Sequence, residues 1–247
     1  MSIEIDSSID KLRHAWLTIK NMSAHDQSQI FMNANTGIDE YLFEIMEHIG
    51  LELLKRNGNL QRKKSAPAST STIMLDEEDM INDWLVSLVC QRMSFLNWTM
   101  LDQSRTGRSG SGKGVGEIDG WVRDSRSKPI FLLESFRLGN SIDTTKIDEH
   151  LNKIGRYNSM GMSPIFVVVY AATHAFPHLC ESYVKHIEKS DYNDFDDDYK
   201  SGLEPIITQG NSFNARYYKE TRRINGSDVT IYHHLLNLKP SPDSTEA

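Results

Sequence analysis

The stretch "PIFVVVYAA", residues 164–172, is apolar from end to end. Its length and its run of valines predict a strand with no polar side, which is stable only when both of its faces are buried. Such a strand sits in the middle of a sheet that carries helices above and below, so the expected class is α/β. The stretch is far too short to cross a bilayer, and no longer apolar run occurs.

The surrounding pattern fills in the order of elements. Residues 1–57 read as a helical N-terminal extension, because "IDKLRHAWLTIK" and "GIDEYLFEIMEHIGLELLKR" both repeat apolar residues at helical spacing. In the second, Leu42, Ile45, Met46, Ile49 and Leu53 form one face. Residues 58–72 are basic and then rich in Ser, Ala, Pro and Thr, the signature of a linker or exposed loop. From there an α/β domain is expected over 73–238. Its first helix covers 75–93, with Met80, Ile81, Trp84, Leu85, Leu88 and Val89 turned inward. Strands follow at 95–103, 115–124 and 129–136, then a helix at 141–158 capped by Asp143 or Ser141, then the apolar strand. A helix near 176–189, an acidic loop and a last strand at "DVTIYHHLLNL" complete the domain, and 239–247 reads as a disordered tail.

Composition narrows the setting more than the function. Across 247 residues, 38% apolar content supports one sizeable core. Cys90 and Cys180 lie far apart in apolar contexts and read as buried thiols. The opening "MSIEIDSSIDKLRHAW" lacks the basic end and apolar middle of a secretory signal, and together these features point to a cytoplasmic protein with no membrane partner. The net charge of −7 is concentrated in "DYNDFDDDY", whose five aspartates read as a solvated loop. Without them the chain is near neutral, so charge balance neither selects nor rejects a polyanionic partner.

The stretch "GRSGSGKGVGEIDGW", 107–121, raises a choice between two chemistries. Gly107, Gly112 and Lys113 fit a phosphate-cradling loop, but Gly114 stands where a Ser or Thr is needed to hold Mg²⁺. A strand pattern follows the loop, so no helix N-terminus would face a phosphate. The loop reads instead as a connection between strands whose Arg105, Arg108 and Lys113 can touch a polyanion.

The second half of that stretch carries carboxylates. Strand alternation puts Glu117, Asp119 and Trp121 on one face of the second strand, and Ile130, Leu132, Glu134 and Phe136 on one face of the third. Asp119 and Glu134 interrupt strands that would otherwise bury well. Two carboxylates on adjacent strands, pointing the same way, make an oxygen-rich site for a hard divalent cation such as Mg²⁺. The competing reading pairs them structurally with Arg123, Arg137 or backbone amides.

The run "GEIDGWV", turn, "PIFLLESF", set in an αβββαβ order over 75–172, resembles the core of the PD-(D/E)xK nuclease superfamily, the restriction-endonuclease-like fold. The resemblance implies a metal-dependent endonuclease or exonuclease acting on DNA, with RNA also open. Asp119 and Glu134 would be metal ligands, with the Ser135 carbonyl as a further ligand and Mg²⁺ or Mn²⁺ as the ion. It also implies a carboxylate from the first helix, for which Glu78 is the choice and Glu77, Asp79 and Asp83 are substitutes.

One position departs from the family pattern: Phe136 stands where the motif lysine is expected. The helix that follows offers replacements, since Lys146, His150, Lys153 and Tyr157 form one stripe beside its apolar face. Lys153 is the chosen catalytic cation, and Lys146 and Tyr157 are assigned to nucleic-acid contact together with Arg105, Arg108 and Lys113. By the same resemblance, an ATPase or helicase partner and a role in antiviral defence are expected, and a homo-oligomer is open. The other consequence of Phe136 is a catalytically inactive module kept for nucleic-acid or protein binding.

Overall fold

A computed structural model describes residues 38–57, 61–63, 73–75, 78–101, 119–192, 195–196, 200–208 and 212–239, with isolated positions before residue 23. In chain order the elements are α1 (Ile38–Lys55), β1 (Gln61–Lys63), β2 (Ile73–Leu75), α2 (Glu78–Met93), a 3₁₀ turn (Ser94–Leu96), β3 (Thr99–Leu101) and β4 (Gly120–Arg123). There follow β5 (Pro129–Gly139), α3 (Thr144–Tyr157), β6 (Ile165–Ala171), α4 (Phe176–Lys189), β7 (Glu204–Ile206), β8 (Ala215–Ile224) and β9 (Ser227–Asn237). The protein is an α/β protein: two helices, then a mixed seven-stranded sheet interleaved with further helices.

The sheet order is β3-β4-β5-β6-β9-β8-β7. β5, β6 and β9 run parallel, and every other neighbour pair is antiparallel. All seven residues of β6 are buried, and its side chains alternate between two cores. Phe166, Val168 and Tyr170 join the cluster built by α1 and α2, whereas Ile165, Val167, Val169 and Ala171 join the one built by α3 and α4. A parallel strand cannot be reached by a tight hairpin, so the connections into and out of β6 carry α3 and α4 across the sheet. Asp143 caps α3, accepting from the Lys146 amide at 3.0 Å, which satisfies one of the helix's unpaired donors.

Several expectations need correction. α1 does not stand apart as an extension: Leu42, Phe43, Met46, Ile49 and Leu53 lie in the same cluster as Ile81, Leu85 and Val89 of α2 and Leu236 of β9. A boundary at 57 therefore falls between two helices that share one core. The expected linker contains β1, which pairs with β2 in a separate two-stranded sheet. Trp84 is 38% exposed rather than inward, because Ile81, Leu85, Leu88 and Val89 already fill the seam, and its ring lies 5.2 Å from the Arg56 guanidinium. The strand expected at 95–103 begins only at Thr99, since Ser94–Leu96 coil into a 3₁₀ turn that buries Leu96. Ile130 lies in the α1/α2 cluster, on the opposite side from Leu132 and Phe136. The register shift in the β4–β5 pairing, between Val122 and Arg123, breaks simple alternation there.

The sequence pattern misses β8 because two of its buried positions are charged. Its burial pattern breaks at Lys219: Ala215 and Tyr217 join the α1/α2 cluster, whereas Glu220 and Arg222, on the same face as Ile224 of the α3/α4 cluster, occupy buried positions. They pair at 2.7 Å, and the other Glu220 oxygen lies 3.2 Å from His233 Nε2. The Tyr183 hydroxyl meets His233 Nδ1 at 2.8 Å, and Arg222 also donates to the Ser190 and Ile187 carbonyls. The partners on each side offset the desolvation that either charge would suffer alone.

The expected first helix at 9–20, the acidic loop and the tail fall wholly or largely outside the described residues. Among the described residues, no helix is long and apolar enough to cross a membrane. Because α1 shares the core, Ile49→Ala is expected to lower the free energy of unfolding by about 2–5 kcal/mol. Urea denaturation followed by tryptophan fluorescence and circular dichroism checks this; an unmoved main transition would restore α1 to the status of a separate extension.

Candidate active site

The site lies where β4 begins beside β5. Among the described residues, pairing of β4 with β5 starts at Gly120 opposite Leu133, and none pairs with Ser135 from the β4 side. The amide of Leu132 points toward the β6 side, to the Pro164 carbonyl, so by alternation the Ser135 amide points toward the β4 side. Asp119, the residue just before the first paired position, takes over that amide: its Oδ2 accepts from Ser135 N at 2.6 Å. The Ser135 hydroxyl lies 2.6 Å from the same oxygen and 2.9 Å from Asn82 Oδ1, with one proton to share between them. Asn82 of α2 approaches Asp119 Oδ2 at 3.5 Å. Glycine at 120 lets Met100 pack across the start of the strand, since a Cβ there would fall 1.9 Å from the Met100 methyl.

Glu134 is fully buried and points into the α3 layer. Its Oε2 accepts weakly from the Asp119 amide at 3.4 Å. Its Oε1 lies 2.5 Å from His150 Nδ1 and 3.5 Å from Lys153 Nζ. The helical stripe foreseen along α3 delivers both groups, one turn apart. One turn earlier, Lys146 Nζ pairs with Glu78 Oε2 at 2.5 Å, so the first residue of α2 and the first turn of α3 are tied together at the site. Phe136 is buried and stacks on the His150 imidazole, with centroids 4.6 Å apart and planes 22° from parallel.

Burial dominates the electrostatics. It pushes Asp119 up to about 7, reinforced by the neighbouring Glu134 charge and opposed by the Ser135 hydrogen bonds. Burial likewise pushes Glu134 up to about 7, against the pull of the Lys153 ammonium. His150 is pushed down to about 4 by burial and by Lys153, which keeps its ring neutral near pH 7.

The structure thus brings Asp119, Glu134, Ser135 and Lys153 together, with Glu78 and Lys146 paired alongside. Tyr157 lies at the end of α3, packed against the α3/α4 cluster. Arg105, Arg108, Lys113 and Glu117 lie outside the described residues. Among the described residues, neither arginine of the competing reading bridges the carboxylates: the Nε atoms of Arg123 and Arg137 are buried without a partner there, and the Arg123 guanidinium lies 5.6 Å from the Trp121 ring. Sequence reasoning missed Asn82 and the structural part of His150. Asn82 lies one turn after Glu78, and His150 was already in the stripe, but nothing local marks either as buried against a carboxylate.

Among the described residues, no three His, Cys, Asp or Glu side chains converge as a metal cluster. The donor set still suits a hard cation: Mg²⁺ commonly takes one or two carboxylates and completes its shell with water. Two carboxylates side by side, both pushed toward the neutral form, are the arrangement that a cation between them would relieve. Compared with protein-family models, curated proteins and solved structures, the chain gives no match.

The raised pKa values set a sign for stability against pH. Folding holds protons on Asp119 and Glu134 that the unfolded chain releases near 3.8 and 4.5, so their contribution is present below that range and lost as pH rises toward about 7. His150 works in the opposite sense between about 4 and 6.5. Relative to wild type, an Asp119→Asn/Glu134→Gln variant is therefore expected to gain stability at pH 8 over pH 5 in the presence of a chelator. Urea unfolding at the two pH values reads the difference; an unchanged difference would mean that the carboxylates titrate normally.

Proposed function

We propose that this chain is a metal-dependent nuclease of the PD-(D/E)xK type, with a restriction-endonuclease-like core and DNA as the first candidate substrate. The observation that carries the reading is the contact between Lys153 of α3 and Glu134 of β5, beside Asp119 at the start of β4. The helix–three strands–helix–strand order of α2 to β6 supports it.

Asp119 and Glu134 would hold the divalent ion, with the Ser135 carbonyl as the added ligand that the family resemblance implies. When bound, such an ion acidifies a water and offsets negative charge on a phosphate. Lys153 places a positive charge beside the carboxylates where charge would build up on the phosphodiester, and its side chain is 24% exposed, within reach of a substrate. Lys146 can exchange Glu78 for a backbone phosphate, which would free the Glu78 carboxylate for the site. Arg105, Arg108 and Lys113 would add sequence-independent grip on the backbone. An ATPase or helicase that delivers substrate, in defence against foreign DNA, is the family-level extension of this reading.

Phe136 favours a second reading, an inactive module that keeps the fold for binding, because a buried phenyl ring supplies no charge. Incubation of the purified chain with linear and plasmid DNA and with RNA, in Mg²⁺ and in Mn²⁺, separates the two. Cleavage is expected to vanish in Asp119→Ala/Glu134→Ala and to fall about 10²–10³-fold in Lys153→Ala. No cleavage and no metal-induced rise in Tm for the wild type would support the inactive module.

A further inference from the structure

Phe136 and His150 explain each other. Phe136 occupies the position where the resemblance implies a lysine, and its ring lies against the imidazole of His150 rather than against aliphatic neighbours alone. An imidazole has two side-chain torsions. The stack and the 2.5 Å contact between Nδ1 and Glu134 Oε1 together restrain both.

The contact is also one-sided. His150 and Lys153 both engage Oε1 of Glu134, whereas among the described residues Oε2 receives the long 3.4 Å approach of the Asp119 amide. Among the described residues, Oδ1 of Asp119 has no hydrogen-bond partner, since Ser135 and Asn82 all converge on Oδ2. His150 and Lys153 thereby fasten one oxygen of Glu134, Ser135 and Asn82 fasten one oxygen of Asp119, and Oε2 of Glu134 faces the Asp119 amide. Groups that fasten a ligating carboxylate from behind set its orientation, and their loss typically weakens metal binding without removing a ligand.

We propose that His150 is a positioning residue of this site: clamped by Phe136, it donates Nδ1–H to Glu134 Oε1 and so holds Oε2 toward Asp119. The assignment rests on the metal-dependent reading above. It gives the phenyl ring at the lysine position a task, since a flexible lysine there could not flatten against the imidazole. The charge normally carried by that position then arrives from α3, through Lys153. Phe136 acts on the carboxylate only through His150.

Two measurements on the full chain test this. Calorimetric titration with Mn²⁺ is expected to show binding weakened about 10–100-fold in His150→Ala. His150→Asn, whose amide nitrogen falls near the imidazole Nδ1 position, should recover most of that loss, and Asp119→Ala should abolish binding. Long-range ¹H–¹⁵N NMR of the metal-free wild type is expected to show the Nδ1–H tautomer of His150, lost in Glu134→Ala. This second readout stands even where His150→Ala fails to fold. An Nε2–H tautomer in the wild type would overturn the assignment. So would wild-type affinity in His150→Ala when Asp119→Ala has lost binding, and that result would leave the nuclease reading intact. No Mn²⁺ binding by the wild type would overturn both.

Discussion

A strand with no polar face leaves a chain few ways to fold, and β6 is such a strand. Each of its seven residues is buried, and successive side chains feed opposite cores. Parallel neighbours on both sides satisfy its backbone, which forces the connections to cross the sheet as helices. α1 and α2 cover one face and α3 and α4 the other. At about 25 cal/mol per Å² of apolar surface removed from water, these two clusters are the main source of stability. The position of α3 over β5 follows from that layering, and so does the reach of Lys153 and His150 to Glu134.

The polar features of the fold are arranged around this apolar frame in two ways. On the β8–β9 side, Glu220, Arg222, His233 and Tyr183 form a closed network in which each buried group faces a partner. All four of its members are buried. At the other side Glu134 meets His150 and Lys153 through one oxygen and the Asp119 amide weakly through the other, and burial pushes both carboxylates up. A charge held partly satisfied beside solvent-accessible lysines is the kind of arrangement that functional sites maintain at some cost in stability. The difference between the two clusters is completeness of pairing, not the number of charged residues.

Much of the frame was legible in the sequence. The run 164–172, the amphipathic stripe of α3 and the helix at Phe176–Lys189 are strong periodic signals, and they appear where periodicity puts them. Asp119 and Glu134 stood out because each is a carboxylate inside an apolar strand pattern. β8 did not stand out, because Glu220 and Arg222 turn its inward face into what reads as a polar surface strand. The separateness assigned to α1 came from the basic, Ser-rich segment after it, a local composition signal that says nothing about which surface the helix covers. Trp84 shows the same limit: helical spacing placed it near the seam, but the width of the seam depends on which neighbours fill it.

By itself, the sequence determined the α/β class, the central strand, the order of elements from α2 to β6 and the two carboxylates that break the apolar pattern. These are local properties: hydrophobic period, turn chemistry and the misfit of a charge in a buried run. The tertiary structure alone decided that α1 shares the core, that β4 starts one residue after Asp119, and that His150 and Lys153 converge on one oxygen of Glu134. Those outcomes depend on where one strand ends relative to its neighbour and on how a helix is rotated over the sheet. Both are set by packing among residues far apart in the chain, and no window of sequence contains them.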